Sequence, residues 1–335
     1  MKTRRSLLEL AASLPILAGA SLLLAAPAAI AQGFPSKTVR LVVPFPPGNA
    51  SDVAARALAD KLGQRIGQTV IVENKAGAAG AVGAEFVAKS APDGHTLMIT
   101  SLSPIVISPH INKTLPYDAL KDFVPVARVG YTGMILVVPT SFPVNTVPEL
   151  IAYAKNNPGK LSYASVGAGT LSMLTMEVFK KSTQLDILHV PYKGSAQAMT
   201  DLIGGTVPLM FDGMTSSYTH VKSGRLKALA ISASKRSELA PEIPTLRDTG
   251  IGSLLDVSVD AWTGVFAPTG TPAAVVNYLN QEINKVLEDP QFKRRANGQS
   301  LDVYAPASPA QFLDYVRSEH TRWANVIKPL NLEGN

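Results

Sequence analysis

From residue 39 onward, short β-branched runs alternate with amphipathic stretches. That alternation predicts an α/β protein with largely parallel sheets, because a strand that recurs after each helix is fed by a crossover. Residues 39–43 (Val-Arg-Leu-Val-Val) read as a buried strand. Over 53–66, Val53, Ala54, Leu58, Leu62 and Ile66 recur on one helical face, with Ser51-Asp52 placed to cap it. Strands follow at 70–72 and 97–100, and a Gly-rich turn from Gly77 leads into a helix near 82–89. The pattern restarts with a strand at 134–138, a helix at 148–155, a strand at 161–164 and a loop at 165–170 before a helix that includes 173–179. Segments 188–190, 195–203, 207–211 and 226–231 continue the alternation. A strand at 265–267 precedes helices at 272–287 and 309–326, the last stopped near Pro329.

No Pro/Ser linker and no solenoid period of 20 to 50 residues interrupts this pattern. A chain of this length without a linker fits two lobes joined by crossing strands. The expected division is 33–132 plus 262–335 for one lobe and 133–261 for the other.

The segment before residue 33 carries a different signal. Lys2, Arg4 and Arg5 precede an apolar run, and Ala29-Ile30-Ala31 has the small-x-small spelling of a processing site. Residues 1–31 therefore read as a signal peptide cleaved near Ala31, which predicts a periplasmic location. The Arg4-Arg5 pair also fits twin-arginine export, and the sequence leaves the route open. Cysteine is absent, so disulfides contribute nothing, and stability rests on packing. The formal charge is +6, of which the leader holds +2 (Lys2, Arg4 and Arg5 against Glu9) and the remainder +4. That mild excess favours anionic ligands through the general field, while no basic block with interleaved aromatics points to nucleic acid.

Two strand-to-helix turns share a spelling. Val43-Pro44-Phe45-Pro46-Pro47-Gly48 precedes a helix opening near Asp52, and Val190-Pro191-Tyr192-Lys193-Gly194 precedes one opening near Ser195. Each lies at the carboxyl end of a strand, where open α/β sheets bind ligands and helix N-termini offer free N–H groups to an anion. Facing each other, they would clamp a carboxylate; the alternative is a pair of ordinary βα turns. Phe45 and Tyr192 can cover a ligand's carbon chain or pack in the core, and Lys193 can meet the ligand or stay solvated. Asp212 can accept from a ligand or cap the following helix.

Catalytic signatures are missing. No cysteine exists, the five histidines stand singly, and no Gly-x-Ser-x-Gly elbow occurs, so no metal, cofactor or catalytic residue is expected. Ser232-Ala233-Ser234-Lys235 matches Ser-x-x-Lys without its companion motifs. Gly77-Ala78-Ala79-Gly80-Ala81-Val82-Gly83 has the wrong spacing for a dinucleotide fingerprint and reads as close helix-to-sheet packing through small residues.

Several segments in order resemble the substrate-binding components of tripartite tricarboxylate transporters, the Bug family of periplasmic receptors. They are residues 42–48 with Asp52, Gly67-Gln68, residues 72–77 (Val-Glu-Asn-Lys-Ala-Gly), residues 92–97 (Pro-Asp-Gly-His-Thr-Leu), Tyr117-Asp118 with residues 121–123 and Pro125-Val126, residues 189–194, Asp201-Leu202 with Gly204-Gly205, and Ala267-Pro268 with Thr271-Pro272. The resemblance spans the chain beyond the leader. It implies a two-lobed Venus-flytrap fold of the type II periplasmic binding class, closing over a small carboxylate held mainly by backbone amides. It also implies delivery to membrane permease subunits; a monomer is expected. Mapped here, the ligand-binding candidates are Phe45, Pro47, Gly48, Asn49, Ser51 and Asp52 from the first turn, with Ser101 and Ser103 after the third strand. Gly167, Gly169, Thr170, Tyr192, Lys193, Gly194, Ser195 and Asp212 complete the set from the middle segment. Asn49 stands where the family usually repeats Gly. Alternative roles are an exported hydrolase or decarboxylase on the same fold, or a ligand-presenting sensor for a membrane kinase.

Overall fold

The computed structural model describes residues 33–233, 236–237, 239–257 and 259–330, with the side chains of residues 255 and 256 left aside. The leader, Ser234 and Lys235 fall outside these residues.

The first β-branched run forms β1 (Val39–Val43), followed by α1 (Ala50–Ile66), β2 (Val70–Asn74), α2 (Ala81–Ala88), β3 (Thr96–Ser101) and the short α3 (Ser108–Ile111). Strand β4 is long, Phe123–Pro139. Beyond it come α4 (Val147–Asn156), β5 (Leu161–Ser165), α5 (Leu171–Thr183), β6 (Ile187–Pro191), α6 (Ser195–Ile203), β7 (Leu209–Gly213), α7 (Met214–Lys222) and β8 (Leu226–Ile231). The chain ends with β9 (Asp260–Pro268), α8 (Ala273–Glu288), α9 (Pro290–Asn297), β10 (Asp302–Val303) and α10 (Pro309–Ile327).

These strands form one sheet in the order β2-β1-β3-β9-β4-β7-β5-β6, with β8 and β10 also on β4. Its flanks are parallel, β2-β1-β3 on one side and β7-β5-β6 on the other. The centre is not: β9 runs antiparallel to β3 and β4, and β4 runs antiparallel to β7 and β8. The largely parallel expectation therefore holds only for the flanks. β4 pairs with β9 from Phe123 to Gly133, then with β7 and β8 from Met134 onward. Its first half escapes the periodicity because Pro125 and Gly130 interrupt it, where the register shifts.

Around β9 the interior is aromatic. Trp262, Phe266 and Phe312 are fully buried, and Trp262 meets Phe312 edge-on at 5.9 Å. Gly264 is required here, because a Cβ would lie 2.3 Å from Phe312 Cζ. Trp262 and Trp323 both donate their indole N–H to Glu319 Oε2 at 3.2 Å, satisfying polar tips that burial would otherwise leave orphaned.

Candidate functional site

The loop between β1 and α1 is braced from beneath. Asn74 Nδ2 donates to the Phe45 carbonyl at 3.0 Å and to Asp52 Oδ1 at 2.9 Å. The other Asp52 oxygen accepts from the Gly48 N–H at 2.9 Å and from Arg56 Nε at 3.1 Å. Burial works to raise the Asp52 carboxyl, but these donors (Arg56, the Gly48 N–H and Asn74) outweigh it and hold the group below the usual carboxylate range. Gly48 sits at φ 90°, a left-handed conformation that glycine adopts without steric cost.

Helix α1 is capped by Asn49, whose Oδ1 accepts from the Asp52 N–H at 2.9 Å. Ser51-Asp52, expected to cap, lie inside the first turn; Ser51 is buried with its Oγ unpartnered. The cap falls on the last residue with extended backbone, and that residue is Asn49.

The two turns of like spelling meet. A Cβ on Gly194 would lie 3.1 Å from Pro46 Cγ, so the Gly194 backbone packs tightly against the Pro46 ring. A cavity opens on either side of this contact. The first, about 580 Å³, is walled by residues 44–46, 76–80, 166–169 and Tyr192-Lys193, with Ser108 and Asn112 across from them. The second, about 470 Å³, is walled by residues 45–49 on one side and 193–197 with Thr215, Ser216 and His220 on the other.

The second cavity gathers helix starts. Its walls include the N-terminal turns of α6 and α7, neither of which has a side-chain cap, and the Asn49 cap of α1. The first four N–H groups of an α-helix have no intrahelical partner, and each N-terminus carries roughly +0.5 of an elementary charge. Among the described lining residues of both cavities there is no Asp, Glu or Arg, and Lys193 borders both. Such a site favours an anion. Thr215 Oγ1 and His220 Nδ1 are buried beside it without a hydrogen-bond partner. Burial, helped by repulsion from Arg225, lowers the His220 imidazole below its ordinary range, which keeps it neutral.

The candidates divide by position. Phe45 and Lys193 border both cavities; Pro47, Gly48, Asn49, Gly194 and Ser195 line the second; Gly167, Gly169 and Tyr192 line the first. The others are not among the residues lining either cavity, and most are engaged within the fold. Asp52 is consumed by its own loop, and the Ser103 hydroxyl accepts from the Leu171 N–H at 3.1 Å. Ser101 is paired to Thr263 within the sheet, and the Thr170 hydroxyl donates to the Gly167 carbonyl at 2.7 Å. Asp212 is buried, accepting from Ser195 Oγ at 2.8 Å and Ser217 Oγ at 2.9 Å. Burial raises its carboxyl despite those bonds. It braces the start of α6 from behind and shows no face to the cleft.

The sequence reading passed over two parts of the walls. Residues 76–80 line the first cavity with Gly77, Ala78, Ala79 and Gly80 all at positive φ, and for the two alanines that is strained backbone. The packing expected of this motif is also present, since a Cβ on Gly83 would lie 2.7 Å from Pro44 Cα. The start of α7 was missed because Gly213-Met214-Thr215 carries no capping residue.

Comparison with known proteins agrees with this geometry. A family model described as tripartite tricarboxylate transporter family receptor matches residues 54–332. The chain belongs to this family. It is 36% identical to BugT of Bordetella pertussis over 299 residues, covering 89% of this chain and 90% of that one. Among solved structures, it resembles an R. palustris protein with adipate (TM-score 0.85, 32% identity, 89% of this chain and 98% of that one). It also resembles MatC from Rhodopseudomonas palustris with bound malate (TM-score 0.82, 32% identity, 88% and 100%). Members of the family are solute-binding receptors, so this is a binding protein rather than an enzyme. Among the described residues, no helix is long and apolar enough to cross a membrane.

Proposed function

We propose that this chain is a periplasmic receptor that captures a small organic carboxylate between two lobes for the permease of a tripartite tricarboxylate transporter. The supporting observation is the second cavity, where the starts of α1, α6 and α7 border a space with a lysine and no acidic group. The carboxylate sits against the main-chain N–H groups of residues 195–197 and 214–216, and the remainder of the ligand runs past Phe45 and Lys193 toward the first cavity. The lobes are 33–132 with 262–335 and 133–261, and the hinge lies where β4 exchanges β9 for β7 near Gly133. The ligand must touch both lobes, since it shifts an open–closed equilibrium only through contacts made better in the closed form. The relatives solved with adipate and malate agree with the ligand class.

Native mass spectrometry of freshly purified protein should find a co-purified organic acid, recovered chemically unchanged. Calorimetric titration with that acid should then give a 1:1 complex. Failure of every acid tested to bind would sink the reading.

A further inference from the structure

Asn49 combines a fixed orientation with an unspent donor. Its Oδ1 is engaged by the bond from the Asp52 N–H at 2.9 Å, which fixes the amide's orientation and leaves its Nδ2 at the opposite end. The Asp52–Asn74 brace fixes the backbone on both sides, through the Phe45 carbonyl and the Gly48 N–H. The outward Nδ2 therefore brings two N–H donors to the wall of the second cavity, where Asn49 is a lining residue.

The carboxylates nearby are already committed. Asp52 and Asp212, the carboxylates behind this wall, are buried and satisfied by Gly48, Arg56 and Asn74 in one case and by Ser195 and Ser217 in the other. An ammonium group entering here meets Lys193, the Asn49 donors and no free carboxylate, and the neutral Thr215 Oγ1 and His220 Nδ1 offset only part of its desolvation. An oxygen substituent beside the ligand carboxylate finds a donor waiting.

From this geometry we infer that Asn49 is a specificity-determining residue: its outward amide donates to an uncharged oxygen at C2 of the ligand, so the receptor prefers 2-hydroxy or 2-oxo acids to 2-amino acids of the same skeleton. The inference rests on the carboxylate-receptor reading and narrows it.

Calorimetry with matched trios tests it: propionate, lactate and alanine; succinate, malate and aspartate; glutarate, 2-hydroxyglutarate and glutamate; phenylacetate, mandelate and phenylglycine. In the best-binding skeleton the hydroxy acid should bind about tenfold tighter than the unsubstituted acid, with the amino acid weakest. Asn49→Gly should weaken the hydroxy acid most and bring that ratio close to one. Asn49→Asp keeps the helix cap, and so the melting temperature, but replaces the donor by an anionic oxygen; it should weaken every acid and narrow the gap between hydroxy and amino acids. A ratio near one in the natural protein, or a ratio that survives Asn49→Gly, overturns the assignment while leaving the receptor reading intact. Binding of no acid from any trio overturns both.

Discussion

At the scale of single residues, the proposed site rests on a loop braced by hydrogen bonds from beneath. Asp52 is the keystone, taking bonds from Gly48, Arg56 and Asn74. Asp52→Asn should destabilise the protein by about 1–3 kcal/mol, the range for losing charge-assisted bonds at a buried position, and urea unfolding measures it. The same variant should lower ligand affinity without touching the ligand, because Gly48 and Asn49 are then free to wander. Gly194 serves differently, by what it lacks: a methyl there meets Pro46 at 3.1 Å. Gly194→Ala should leave the melting temperature nearly unchanged and weaken binding about three- to tenfold, because the turns must part by a few tenths of an ångström to admit it. The sequence made these turns legible through their shared Val-Pro-aromatic spelling. It could not tell which polar side chains face the cleft. Ser103, Thr170 and Asp212 are all residue types that also bond backbone and neighbouring hydroxyls, and here that local use prevails.

At the scale of elements, short apolar runs bounded by turn residues identified the flanking strands closely. The central antiparallel strands were harder. Half of β4 reads as broken because Pro125 and Gly130 sit at irregularities in its pairing with β9. The start of α7 was invisible because the signal sought was a cap, whereas its bare N-terminus is what leaves N–H groups free toward the cavity. Helix α10 is fastened by Glu319, which receives both indole N–H groups. Glu319→Ala orphans two buried donors and should cost about 2–5 kcal/mol, read by chemical denaturation with Trp262 and Trp323 as the fluorescent reporters.

For the whole molecule, acid sensitivity follows from the histidines. Burial lowers His110, His189, His220 and His320 below the ordinary value of 6.5. The His110 and His320 rings also lie 4.1 Å apart, tilted by 59°, and His110 adds to the cost of charging His320. The unfolded chain takes up these protons first. The stability they contribute is therefore full above about pH 6.5 and is lost as pH falls through the lower folded values. Melting temperature should drop progressively as pH falls below about 6.5, a trend that His110→Gln should reduce.

The arrangement as a whole gives one positive cleft between two parallel flanks, closed by turns that already touch. A crystal structure with the co-purified acid tests that most directly. Both carboxylate oxygens should lie about 2.7–3.1 Å from main-chain nitrogens at the starts of α6 and α7, with the ligand also touching residues 45–49. A carboxylate held by Lys193 Nζ alone, or bound away from both turns, would contradict the account.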